Sequence, residues 1–118
     1  MILGFRDSES IKTYSRKLQE LDVTVKKMVF EILGLENYLD EQMQSTEYLL
    51  KFMKYRAPEP NEADIGIHSH TDTNIMTILH QDEIGGLEIQ TKYDEWIQVE
   101  VSRNSFVVVA GETFNVSI

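Results

Sequence analysis

The histidines of this chain all fall within one short stretch, and an aspartate lies among them. Residues 68–72 read His-Ser-His-Thr-Asp, and His80 follows. In an extended segment, residues two apart point to the same side, so His70 and Asp72 can converge on one point with His68 beside them. An imidazole and a carboxylate together suit a divalent metal such as Fe(II), Mn(II) or Zn(II). The spacing therefore makes His70 and Asp72 a candidate metal pair.

The stretch is open to three interpretations from its residue types alone. In the 2-His-1-carboxylate triad of non-haem iron oxygenases, a second histidine from elsewhere completes the ligand set. A small metal-binding domain would instead use four groups together, namely His68, His70, Asp72 and His80. The plainest alternative is an exposed polar loop, because a bare His-x-Asp triplet also occurs by chance.

The charge and composition narrow the classes of function. Of 118 residues, 20 are acidic and 11 basic, so the formal net charge is −9. Nucleic-acid-binding proteins need a basic face to release counterions, so this balance argues against a nucleic-acid partner, and likewise against an anionic membrane. The absence of cysteine excludes disulfides, thiolate metal sites and thiol catalysis. No apolar run approaches the ~18 residues of a membrane span, and a cytoplasmic protein is expected.

The first half of the chain has the periodicity of a helix. Apolar residues three and four apart predict one amphipathic helix over residues 10–33, which Gly34 would end. The apolar stripe consists of Ile11, Tyr14, Leu18, Leu21, Val25, Met28 and Ile32. A second, short helix is predicted over residues 36–43.

Beyond Pro58 the pattern changes to short strands between turns. Strands are predicted at residues 75–79, 87–91, 96–99 and 106–110, with turns at 85–86, 93–95 and 102–104. The last strand is a continuous apolar run, which is typical of a fully buried strand. Residues 48–55 are a further candidate strand. Strands that follow a helix in this way favour an α+β protein with an antiparallel sheet, sandwich or barrel.

An ordered series of sequence blocks resembles the plant Fe(II)/2-oxoglutarate-dependent dioxygenases. The blocks are Gly-Ile-His-Ser-His-Thr-Asp (66–72), Thr-Ile-Leu-His-Gln (77–81), Gly-Leu-Glu-Ile-Gln (86–90), Trp-Ile-Gln-Val (96–99) and Asn-Ser-Phe-Val-Val-Val-Ala-Gly-Glu (104–112). Residues 48–58 also fit. Such a series with consistent spacing is far more specific than the His-x-Asp triplet. The blocks are most similar to the subgroup that modifies glucosinolate side chains into alkenyl or hydroxyalkyl forms.

The resemblance implies a site and a reaction. His70 and Asp72 match the first two iron ligands of the family, which leaves His68 and His80 as bystanders. Tyr55 matches a tyrosine that contacts the carboxylate of 2-oxoglutarate. The implied reaction is oxidation of a small-molecule substrate, coupled to decarboxylation of 2-oxoglutarate to succinate, with ascorbate as a stimulant.

The chain also departs from the family pattern. Met53 stands where many members have an asparagine that helps to hold 2-oxoglutarate. No histidine follows His80, so the distal histidine ligand is missing, as is the downstream Arg-x-Ser that binds the far carboxylate. The tail, residues 113–118, differs from the family wording. We therefore expect a truncated, inactive member: a helical segment over residues 1–46, then an incomplete double-stranded β-helix (jelly-roll) over 47–118.

A different class of function is a non-catalytic interaction module. In that alternative, the amphipathic helix and an open sheet edge would bind a partner protein. A defined dimer or hetero-complex that buries the apolar stripe would favour it.

Overall fold

The computed structural model describes residues 8–53, 55–82 and 84–112, and the chain forms two compact units, Met1–Ile67 and His68–Ile118. The first unit is helical, and the second carries short antiparallel strands. The protein is therefore α+β, as the sequence predicts. The tail at residues 113–118 lies outside the described residues. Within the described ranges, no helix is both long and apolar enough to cross a membrane.

The first unit is built on one long helix, α1 (Ser8–Leu33), which confirms the helix predicted for residues 10–33. Gly34 ends it with a φ of 70°, a left-handed conformation that glycine adopts without strain. A 3₁₀ turn (Glu36–Tyr38) and a short helix, α2 (Leu39–Gln44), follow. These two elements cover the predicted second helix.

The buried face of α1 differs from the predicted stripe near its C-terminal end. Met28 and Ile32 are 58% and 82% exposed, whereas Phe30 is buried. Two charged residues on the same helix, Asp22 and Lys26, are buried as well. The helix therefore turns a partly polar face inward over its second half.

A tyrosine beyond α2 explains how these charges are accommodated. The Nζ of Lys26 lies 3.0 Å from the Oδ2 of Asp22. The hydroxyl of Tyr48 donates to the same Oδ2 at 2.8 Å, and Lys26 lies 5.8 Å from the centre of the Tyr48 ring. Burial of the phenol, and then its hydrogen bond to Asp22, raises the pKa of Tyr48 to about 12.

The second unit contains two separate antiparallel pairs of strands. The described strands are β1 (Met76–Leu79), β2 (Glu88–Gln90), β3 (Trp96–Gln98) and β4 (Val107–Ala110). Each of them lies inside one of the four strands predicted at residues 75–79, 87–91, 96–99 and 106–110. In the first pair, β1 joins β4 with Met76 opposite Ala110. In the second, β2 and β3 form a hairpin whose turn contains Asp94 at a φ of 62°.

Two strand predictions were wrong. Residues 48–53 and Tyr55 form no strand, because Tyr48 and Phe52 instead contact α1 through their side chains; the Phe52 ring lies 6.3 Å from that of Tyr14. The strand at 106–110 is not fully buried, since exposure alternates along β4 and Val108 is 41% exposed. Among the described strands β4 pairs only with β1, and a two-stranded sheet covers little of its own surface.

Candidate metal centre

The structure brings His70 and Asp72 together directly before β1. The Nε2 of His70 lies 3.2 Å from the Oδ1 of Asp72, and the two side chains are 60% and 30% exposed. The two side chains therefore converge, as the i, i+2 spacing predicts. Their assignment as metal ligands remains a prediction.

The hydrogen bond made by Nδ1 of His70 determines whether Nε2 is free to act as a metal ligand. Nδ1 lies 3.0 Å from the backbone carbonyl oxygen of His68. A carbonyl oxygen can only accept a hydrogen bond, so Nδ1 carries a proton and donates it. In the neutral ring, Nε2 then holds a lone pair that faces the carboxylate of Asp72.

Two lone pairs at this distance repel each other unless a positive charge lies between them or the ring is protonated. With metal–ligand distances of about 2.1 Å, two ligands on adjacent octahedral positions lie about 3 Å apart. The separation of Nε2 and Oδ1 is close to that value. His70 and Asp72 thus fit two adjacent positions around a divalent metal ion.

Asp72 is held in place by the two residues that follow strand β4. Its backbone carbonyl accepts a hydrogen bond from the N–H of Glu112 at 2.7 Å, and the N–H of Gly111 donates to Ile75 at 2.8 Å. These bonds continue the contact between β1 and β4 toward Asp72. On its side chain, Oδ2 accepts a hydrogen bond from the hydroxyl of Thr77 at 2.8 Å.

Gly111 permits this close approach of two chain segments. The residue is buried, and a Cβ atom added to it would overlap the backbone carbonyl of Asn74. Only glycine can therefore occupy this position without displacing the segment that follows Asp72. Gly111 belongs to the sequence block 104–112 that carries part of the family resemblance.

The other two histidines lie in different surroundings. His68 contributes its backbone carbonyl to His70. The Nε2 of His80 lies 2.9 Å from the backbone oxygen of Arg103, and its ring lies 4.8 Å from that of Phe106. The described residues, which include all three histidines and Asp72, contain no group of three or more His, Cys, Asp or Glu side chains that could hold a metal. The structure therefore does not bring His68, His70, Asp72 and His80 together in the way that the four-ligand alternative requires.

Tyr55, the predicted contact to 2-oxoglutarate, lies in the first unit. Its ring packs against Gly66 so closely that a Cβ atom added to that glycine would lie 2.8 Å from the ring. The hydroxyl of Tyr55 lies 3.5 Å from the sulfur of Met53. The next residue, Arg56, donates two hydrogen bonds to Glu62, at 2.8 and 2.7 Å. This contact holds the pKa of Glu62 below its ordinary value. The role of Tyr55 remains a prediction.

The residues that hold the carboxylate of Asp72 were not predicted from the sequence. Thr77 and Asn74 form a hydrogen-bonded chain to its carboxylate, yet both resemble ordinary turn and strand residues in the sequence. Only the position of Thr77 in the sequence could have indicated its role, because it lies near the start of a strand that begins shortly after Asp72.

Comparison with known proteins places the chain in a family. Residues 40–117 match the model of the 2OG-Fe(II) oxygenase superfamily. The chain is 46% identical over 111 residues to the "Probable 2-oxoglutarate-dependent dioxygenase AOP1.2" of Arabidopsis thaliana, covering 90% of this chain and 35% of that protein. It is 24% identical to the "Probable inactive 2-oxoglutarate-dependent dioxygenase AOP2" of the same plant, of which it covers 47%.

The chain thus spans about a third of the length of its more similar relative. No solved structure matches it. The family model covers the His70–Asp72 pair and all the strands described above. The resemblance inferred from the sequence blocks is confirmed, and the chain belongs to the 2OG-Fe(II) oxygenase superfamily.

Proposed function

We propose that this chain supplies two of the three protein ligands of a non-haem Fe(II) site in a 2-oxoglutarate-dependent dioxygenase. The observation that carries the proposal is the 3.2 Å separation of His70 Nε2 from Asp72 Oδ1, with Nδ1 held by the carbonyl of His68. The strands of the second unit would form part of the jelly-roll that holds this site in the family.

His70, Asp72 and Tyr55 would each make a different contact with the metal or with 2-oxoglutarate. His70 offers a single lone pair, because its other nitrogen is committed to His68. Asp72 offers Oδ1 and brings negative charge, and its backbone is fixed by Glu112. The hydroxyl of Tyr55 would contact a carboxylate of 2-oxoglutarate. When bound, Fe(II) and 2-oxoglutarate would activate dioxygen, the oxidant, so that 2-oxoglutarate is converted to succinate and carbon dioxide while the substrate is oxidised.

The proposed substrate is a small secondary metabolite, with glucosinolate side chains as the class. This part of the proposal is supported by the similarity of the blocks over residues 66–112 to that subgroup of the family. Ascorbate as a stimulant and a cytoplasmic location are likewise expectations from the sequence.

We further propose that the 118-residue chain, taken by itself, is inactive. The described residues offer no third metal ligand beside His70 and Asp72, and no histidine follows His80 in the sequence. Purified chain with Fe(II), ascorbate and 2-oxoglutarate should therefore release no more succinate than a control without protein. Succinate release that is lost in both His70→Ala and Asp72→Ala variants would contradict this part of the proposal.

The metal pair itself is tested by binding. Two protein ligands leave most positions to water, so we expect weak binding that follows the general order of affinity, with Ni(II) above Fe(II). In a calorimetric titration with Ni(II), His70→Ala and Asp72→Ala should each remove most of the binding. The matched controls His68→Ala and His80→Ala should change it little. If His68→Ala has the largest effect, or if the wild-type chain binds no Ni(II), the proposed pair is wrong.

The interaction module is a second candidate, favoured by one observation. Most of the apolar stripe of α1 is partly buried within the chain, but Met28 and Ile32 remain exposed. A stable dimer that dissociates on Ile32→Asp would support this candidate. A monomer at all concentrations in light scattering would count against it.

A further inference from the structure

The two oxygens of the Asp72 carboxylate have different neighbours. Oδ1 faces the Nε2 of His70 at 3.2 Å. Oδ2 accepts a hydrogen bond from the hydroxyl of Thr77 at 2.8 Å. Thr77 lies on β1, so the contact joins the loop that carries the metal pair to a strand that is fixed by pairing with β4.

The side chain of Asn74 determines the direction in which the hydroxyl of Thr77 donates its proton. The side-chain amide nitrogen of Asn74 donates to the Oγ1 of Thr77 at 2.9 Å, and the same nitrogen lies 3.1 Å from the backbone oxygen of Met76. An amide nitrogen can only donate, so Thr77 must accept from it. A hydroxyl has one proton, and that proton is then left for Oδ2 of Asp72. The chain Asn74, Thr77, Asp72 therefore has one direction.

This arrangement has a consequence for metal binding. A carboxylate without a partner can rotate, turn to solvent, or bind a metal through both oxygens. With Oδ2 engaged by Thr77, the carboxylate plane is fixed, and Oδ1 is the oxygen left to face the metal beside His70. Partners of this kind around metal ligands typically change metal affinity by about 10-fold to 100-fold when they are removed.

We propose that Thr77, oriented by Asn74, is a positioning residue that makes Asp72 a one-oxygen ligand. It touches neither the metal nor the substrate, and acts through the carboxylate of Asp72. This inference rests on the proposed function, because it assumes that His70 and Asp72 bind a divalent metal.

Substitutions at Thr77 separate the hydroxyl from the shape of the side chain. Thr77→Val keeps the branched shape and suits a strand, but removes the donor. Thr77→Ser keeps the donor. In a calorimetric titration with Ni(II), we expect Thr77→Val to bind about 10-fold to 100-fold more weakly than wild type, and Thr77→Ser to bind within a few-fold of wild type.

A matched control lies between the two ligands. Thr71 is exposed, and Thr71→Val leaves the hydrogen bond from Thr77 to Asp72 in place, so Ni(II) affinity should not change. Asn74→Ala is a second test, because Asn74 lies outside β1 and the substitution removes the amide that orients the hydroxyl of Thr77. We expect it to weaken Ni(II) binding by a few-fold.

The outcomes separate this inference from the function on which it rests. If wild type binds Ni(II) and Thr77→Val binds equally well, the inference is wrong and the metal pair stands. If Thr77→Ser loses as much affinity as Thr77→Val, the role of Thr77 is structural, which also overturns the inference. If wild type binds no Ni(II), the metal pair and this inference fail together. Circular dichroism and Trp96 fluorescence without metal establish that each variant is folded.

Discussion

The Asp22–Lys26 pair of the first unit and the His70–Asp72 pair of the second are both formed by residues close in sequence, yet their surroundings differ. Lys26 and Asp22 are 3.0 Å apart, with side chains 5% and 8% exposed. His70 and Asp72 are 3.2 Å apart, with side chains 60% and 30% exposed. The first pair is enclosed by the protein, and the second is open to solvent.

The two pairs also differ in how their donors and acceptors are matched. In the buried pair an ammonium meets a carboxylate, and Tyr48 supplies a further hydrogen bond. Donors and acceptors are therefore matched without any ligand. In the open pair, a neutral His70 ring with its proton on the nitrogen that faces His68 would present a lone pair to another acceptor, the Oδ1 of Asp72. A proton on Nε2 or a metal cation between the two atoms would remove this mismatch, so the open pair is a candidate for binding a cation.

The largest expected effect comes from removing one charge of the buried pair. Lys26→Met leaves the carboxylate of Asp22 buried without its cation, which should reduce the free energy of unfolding by about 3–5 kcal/mol. Urea denaturation followed by far-ultraviolet circular dichroism, which reports on α1, measures this loss. The double variant Asp22→Leu/Lys26→Met removes both charges and should recover most of the stability. A loss under about 1 kcal/mol for Lys26→Met would contradict the burial of this pair.

A smaller loss in the free energy of unfolding is expected when Gly111, near the open pair, is replaced. Gly111→Ala forces β4 away from the segment after Asp72, which should cost about 2–3 kcal/mol. Gly85→Ala is the control, since its Cβ would meet only the side chain of Gln98, at an ordinary 3.9 Å. Trp96, the single tryptophan, lies in the second unit and reports its unfolding. Equal stability of the two variants would show that the close approach at Gly111 is not required.

The hydroxyl of Tyr48 provides a test that depends on pH. Tyr48→Phe removes a hydrogen bond to a carboxylate, but the ring is partly exposed, so we expect a loss of about 1 kcal/mol at neutral pH. The pKa of Tyr48 is raised from 10.0 to about 12 in the folded chain. The unfolded chain therefore loses this proton first, and the contribution to stability falls as pH rises from about 10 to 12. Tyr48→Phe should lack this part of the decline, and an identical decline in both proteins would contradict the shifted pKa.

The smallest effect is expected at the open pair. His70→Ala removes a mostly exposed side chain, so the free energy of unfolding should change by less than about 1 kcal/mol. Denaturation followed by Trp96 fluorescence measures it. A loss as large as that of Lys26→Met would mean that the two pairs do not differ in kind.

Local pattern was enough to predict the helices, the strand positions and the convergence of His70 with Asp72. Each of these follows from residues within one element, through the 3.6-residue or two-residue period. The burial of Asp22 and Lys26 could not be predicted in this way. Charged residues are almost always exposed, and here their burial depends on Tyr48, which lies beyond α2.

The same limit applies around the metal pair. Residues 48–55 have the composition of a strand, but residues 48–53 and Tyr55 form none, and Tyr48 and Phe52 contact α1 through their side chains. The support of Asp72 comes from Thr77 and Glu112, and the second of these is distant in sequence. Its contribution depends on the pairing of β1 with β4, which a local pattern does not specify.

We propose above all that His70 binds a divalent metal through Nε2, together with Asp72. ¹⁵N NMR of the imidazole nitrogens during titration with Zn(II) tests it directly, because metal binding shifts the signal of the nitrogen that coordinates. We expect the Nε2 signal of His70 to shift, while its Nδ1 remains protonated and the signals of His68 and His80 change little. The Asp72→Ala variant should abolish the shift. Coordination through Nδ1 of His70, or a larger shift at His68 or His80, would contradict the claim.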